Sequence, residues 1–144
     1  MRSPLNRKSY SGVLLISPER DYILQRRDQA PGIQNPGLIG IFGGRAEQNE
    51  TEVACAIREL REELDLLVSA DDLVPLLQVD MAVRNDLISC TIFVLDNVQL
   101  GSLTLMEGAA IEILSKEAAT TSPNLSPLCL HVIVADQQRE CQKE

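Results

Sequence analysis

The stretch from Gly43 to Leu66 leaves the chain the fewest options. It opens on two glycines, Gly43 and Gly44, and closes on a carboxylate-rich run. At about 100° per residue, Val53, Ile57, Leu60 and Leu64 fall on one stripe. That stripe predicts an amphipathic helix over residues 51–66, packed inward through these four side chains. Glu59, Glu62 and Glu63, spaced i, i+3 and i+4, share a different face. Like charges placed this way repel, so the cluster costs stability unless a cation meets it. Hard divalent cations prefer carboxylate oxygens and keep water and substrate phosphates as their other ligands. The face is therefore a candidate cation site, and a plain solvated helix face is the alternative.

The full spacing separates the two. Gly44, five residues, Glu50, seven residues, Arg58-Glu59-Leu60, one residue, then Glu62-Glu63 resembles the signature of the Nudix hydrolases. Weaker resemblance runs from about residue 11 to the region of Ile113. Three positions depart from the pattern. Asp65 stands where the family usually has a glycine at the end of the box, Asn49 where a glycine usually precedes the first glutamate, and Phe42 where proline often precedes the glycine pair. After glycine, Asn and Asp are the residues that best tolerate left-handed or capping conformations.

The resemblance implies an α/β/α sandwich and hydrolysis of a pyrophosphate bond in a nucleoside diphosphate linked to another group. It implies Mg²⁺ or Mn²⁺ held by Glu59, Glu62 and Glu63, with the Gly43 carbonyl as an extra ligand and Gly44 against the substrate. Either Glu62 or Glu107 would take the proton of the attacking water, Glu107 being placed only by its approximate spacing after Leu103 and Leu105. Arg58 is carried over with the catalytic set, and Glu50 would pair with it to hold loop and helix in register.

The remaining chain agrees with an α/β protein built on a mixed β-sheet. Residues 10–16 and 22–26 read as a hairpin, 38–42 as a buried strand delivering the glycine pair, and 73–77 and 79–83 as apolar runs broken at Gln78. A strand over 87–95 follows, then a last strand over 109–114. Ser115 and Ser126-Pro127 open two helices, the second reaching about Gln138, with a fraying polar tail beyond. Asn49 with Glu52 predicts a capping box at the start of the box helix. His131 falls in the apolar middle of the last helix as a structural or incidental residue. Residues 29–36, with two prolines and a glycine, read as a loop suited to rimming a substrate. Arg26 and Arg27 precede it, and since strand neighbours point to opposite faces only one of them can reach a substrate phosphate.

A single domain is expected for 144 residues. The net charge of −8 argues against a long nucleic acid as partner but leaves room for a small phosphorylated nucleotide. No apolar run approaches membrane-spanning length, and the basic start lacks the apolar core of a signal peptide. The four cysteines form no CxxC pair, which predicts free thiols in a cytoplasmic protein. A homodimer is compatible with the sequence. Subclass residues of some relatives, a proline or tyrosine downstream of the box, are missing around Ala82 to Arg84, which mildly favours a nucleoside triphosphate pyrophosphohydrolase. Two other readings are a non-catalytic nucleotide-sensing module on the same fold and an isoprenoid diphosphate isomerase, the latter needing Cys55 or Cys90 at its centre.

Overall fold

The computed structural model describes residues 6–27, 37–107 and 110–142. The predicted loop at 29–36 lies outside them, as do Gly108 and Ala109. The strands are β1 (Asn6–Ile16), β2 (Tyr22–Arg26), β3 (Ile39–Gly40), β4 (Phe42–Arg45), β5 (Val74–Val83), β6 (Asp86–Leu95) and β7 (Ala110–Leu114). The helices are α1 (Glu52–Leu64), α2 (Lys116–Thr121) and α3 (Pro127–Gln142). Among the described residues the sheet runs β3-β2-β1-β6-β5, with β4 also on β1 and β7 also on β2. It is mixed: β1 and β6 run parallel from Asn6↔Asp86 to Leu15↔Leu95, and the other pairs are antiparallel.

Helices cover both faces. Leu14, Ile16, Tyr22, Leu24, Ile92 and Val94 pack towards Ala119 of α2 and Cys129, Val132 and Ile133 of α3. Val13, Leu15, Ile23, Phe42 and Phe93 pack towards Ala56, Leu60 and Leu64 of α1. This explains why Val13 to Ile16 is unbroken hydrophobe: a strand buried on both sides has no reason to alternate. The architecture is the expected α/β/α sandwich. Of the α1 stripe, Leu60 and Leu64 are fully buried, while Val53 and Ile57 are partly buried against the same cluster. No helix among the described residues is long and apolar enough to cross a membrane.

Five local expectations are corrected. The strand over 38–42 is two short strands, because the chain passes from β2 at Gln25↔Gly40 to β1 at Val13↔Phe42. The two runs around Gln78 are one strand, with its irregularity at Pro75/Leu77 instead. Asn49 makes no capping box: its φ is 64°, and Thr51 is the cap, its side chain accepting from Ala54 N. α3 continues through Gln142 without fraying early, since Tyr22 Oη donates to Asp136 Oδ2 (2.6 Å), Arg139 Nη2 to Asp136 Oδ1 (2.8 Å) and Arg20 Nη2 to Glu140 Oε1 (2.7 Å). His131 lies on the exposed side of α3, not on its apolar side.

Candidate active site

β4 lays the two glycines along β1, with Gly12↔Gly43 and Ser11↔Gly44 in register. A side chain at Gly43 would press into the Ser11 carbonyl oxygen and Gly12 Cα, so close backbone packing demands glycine there. A side chain at Gly44 would land on the Glu59 carboxylate. The glycine pair thus makes the space in which α1 sets its acids. Gly43 N donates to Glu63 Oε1 at 2.8 Å, and Cys55 Sγ meets Gly44 O at 3.5 Å.

Arg58 joins the loop to the helix. Its Nε and Nη2 donate to the two oxygens of Glu50 (2.8 and 2.9 Å), a bidentate pair, and Nη2 also reaches Arg45 O (3.0 Å). Its Nη1 donates to Glu59 Oε1 (3.1 Å) and Glu62 Oε2 (3.1 Å). Glu47 N donates to Glu50 Oε1 (2.9 Å). Hydrogen bonding from Arg58 draws the Glu50 carboxyl down to about 2. The predicted pairing of Glu50 with Arg58 is what the geometry shows.

The acids on the other side of Arg58 have the opposite problem. Burial, then the charge of Glu59, pushes the Glu63 carboxyl up to about 8, the Gly43 N–H and Arg27 offsetting this only in part. Burial also raises Glu59, against the pull of Arg58. The charge of Glu107 adds a small push in the same direction at both. The segment before it is tied to the end of α1 by Thr104 N to Leu64 O (3.0 Å) and Met106 N to Glu63 O (2.8 Å), filling carbonyls that the helix terminus leaves open. Glu107 itself is exposed.

The NUDIX domain family model matches residues 6–115, over three quarters of the chain and all the side chains just described. This chain belongs to the Nudix family. Membership carries the enzyme class with it, a pyrophosphohydrolase acting on acid anhydrides. Solved structures share the fold across nearly the whole length. The solution structure of the E. coli ORF135 protein has a TM-score of 0.78 at 22% identity, covering 96% of this chain and 94% of that one. The MutT protein from Methanosarcina mazei Go1 has a TM-score of 0.80 at 17% identity, covering 97% and 99%. A C. elegans Ap4A hydrolase binary complex has a TM-score of 0.72 at 13% identity, covering 94% and 98%. A comparison with curated proteins gives no match.

Nudix hydrolases generally use divalent metal ions. The donor chemistry here fits one: carboxylate oxygens on a partly buried face, with two acids, Glu59 and Glu63, whose ionised forms lack sufficient opposing charge. Among the described residues no three acidic, thiol or imidazole side chains converge on one point, and both oxygens of Glu62 accept from Arg58 Nη1. Beside the acids a cavity of about 390 Å³ opens between Tyr10, Arg27, Arg45, Met81, Ile88 and Leu128. Arg27 borders this Nudix cleft, whereas Arg26 is taken up by Glu112 of β7, so the two arginines divide as strand geometry requires. Tyr10 and Arg45 were not singled out from the sequence. Arg45 carried one signal, its place directly after the glycine pair; Tyr10 reaches the cleft only through sheet register.

Proposed function

We propose that this Nudix enzyme hydrolyses a pyrophosphate bond in a nucleoside diphosphate linked to another group, with nucleoside triphosphates as the first substrates to test. The observation that carries this is the mutually repelling pair of half-buried Glu59 and buried Glu63, set over Gly43-Gly44 and next to a cleft bearing two arginines. Glu59, Glu62 and Glu63 are proposed to hold Mg²⁺ or Mn²⁺, with the Gly43 carbonyl as an additional ligand. When bound, the cation supplies Lewis-acid polarisation of phosphate oxygens and a lowered pKa for an attacking water.

The chain's own residues do the rest. Arg58 fixes the loop carrying Glu50 to the helix carrying the acids, so glycine pair and carboxylates keep one spacing. Gly44 leaves the Glu59 carboxylate uncovered on its β4 side. Arg27 and Arg45 meet the anionic end of the substrate. Glu62, on the exposed side of α1, or Glu107 receives the water's proton; both are solvent-accessible and so can pass it on. Four unpaired cysteines suit a reducing, cytoplasmic setting.

The test is phosphorus NMR of nucleoside triphosphates, nucleotide sugars and dinucleoside polyphosphates with Mg²⁺ or Mn²⁺. Cation-dependent cleavage releasing a nucleoside monophosphate is the expected result. Tight nucleotide and cation binding without turnover on any member would point instead to a sensing module.

A further inference from the structure

The cleft beside the carboxylates has a two-part character. One end bears Tyr10, Arg27 and Arg45; the walls beyond are Met81, Ile88 and Leu128. The first end abuts the acids: Tyr10 Oη lies against Gly43, whose N–H donates to Glu63 Oε1 at 2.8 Å. Arg27 Nε is buried without a hydrogen-bond partner. Arg45 gives its carbonyl to Arg58, and among the described residues its guanidinium has no carboxylate partner, in a chain with 21 acids against 13 lysines and arginines. What sets these two apart from other unpaired arginines is that both line one cavity, where their charges add to a local positive potential that favours an anion. The other end offers little to a base edge. Among the described lining residues there is no carboxylate or carboxamide, and the Ser126 hydroxyl, which accepts from Cys129 N (3.3 Å), keeps a single O–H to offer. At about 390 Å³ the cavity is within the roughly 300–1,000 Å³ of small-molecule sites.

We propose that this cleft selects its substrate by the diphosphate at Arg27 and Arg45 and by apolar fit of the organic group against Met81, Ile88 and Leu128, so that the protein accepts nucleotides with little regard to the base. This rests on the hydrolase reading for what then happens to the bound nucleotide. The size of the effect follows from the kind of contact. Apolar pockets separate related ligands by about 10- to 200-fold, whereas sites built to hydrogen-bond a ligand group reject its analogue by about 10⁴–10⁵.

Calorimetry with the α,β-methylene analogues of ATP, GTP, CTP and UTP in the presence of Mg²⁺, and with methylenediphosphonate as a probe of the anionic end alone, tests this. The expected result is a spread in Kd across the four nucleotides within about 200-fold. Met81→Ala should weaken all four by about tenfold or more and leave methylenediphosphonate unchanged. Arg45→Ala should weaken the nucleotides and methylenediphosphonate by the same factor, with melting temperatures confirming that both variants fold. A spread beyond about 200-fold, no binding at all, or nucleotide affinities untouched by Met81→Ala would overturn the proposal. Binding as expected with no turnover of the parent triphosphates would leave it standing and remove the hydrolase reading alone.

Discussion

At the scale of single residues, the site is defined by two glutamates under opposite pressures. Glu50 is drawn down to about 2 by Arg58, and Glu63 is pushed up to about 8 by burial and Glu59. A lowered folded-state pKa gives stability that is present above the unfolded value of 4.5 and is lost as pH falls towards 2. A raised one gives stability that is present below 4.5 and is lost as pH climbs towards 8, at up to about 1.4 kcal/mol per pH unit. Without divalent cations the two effects favour maximal stability in mild acid, near pH 4–5. Thermal unfolding from pH 3 to 9 in chelator checks this, and a flat profile between pH 5 and 8 would contradict it. The glycines separate just as cleanly. At Gly44 the obstacle to a methyl group is the far end of Glu59, which can move; at Gly43 it is backbone, which cannot. Gly44→Ala should therefore keep stability within about 1 kcal/mol while cutting turnover sharply, and Gly43→Ala should cost about 1–3 kcal/mol or more. Denaturant melts of the two variants, with initial rates for Gly44→Ala, decide it.

At the scale of elements, α1 is both the recognition feature and the part most visible in advance. Its stripe and its acidic face follow from a helical period that the backbone obeys wherever a core is present, so both were legible. Its left-handed ends were half legible. Asp65 at φ 50° and Asn49 at φ 64° replace glycines in the conformation that makes glycine usual. The cap itself was misplaced by two residues, because Glu50 is committed to Arg58 and Glu47 and the helix begins only after Thr51. Thr51→Ala should cost about 1 kcal/mol of stability, measured by urea unfolding. Unchanged stability would mean that loop contacts, and not the cap, hold this terminus. The split of residues 38–42 into β3 and β4 was not legible, because which neighbour a short buried strand pairs with is settled by tertiary contact. The length of α3 was hidden for the same reason: Arg139 and Glu140 look like a solvated tail until their partners Asp136 and Arg20 are seen.

At the scale of the whole molecule, the sandwich followed from element order, while the cleft did not. Tyr10, Arg45, Met81, Ile88 and Leu128 come from β1, β4, β5, β6 and α3, and no local pattern links them. Of the carboxylate face, Glu59 and Glu63 did follow, since one helix sets them over the glycine pair, while Glu62 turns to Arg58 instead. That face is the centre of the functional reading, and Glu63→Gln tests it most directly. Glutamine keeps the size of the side chain and can still accept from Gly43 N, while removing an acid that the folded chain must either hold protonated or ionise against burial and Glu59. In chelator at pH 7–8 the variant should melt at or above the wild-type temperature. On a nucleoside triphosphate that the wild type cleaves with Mg²⁺, its turnover should fall by orders of magnitude, since several kcal/mol of transition-state stabilisation are at stake and each ~1.4 kcal/mol is tenfold in rate. Turnover equal to wild type would contradict the assignment of Glu63 to the cation site.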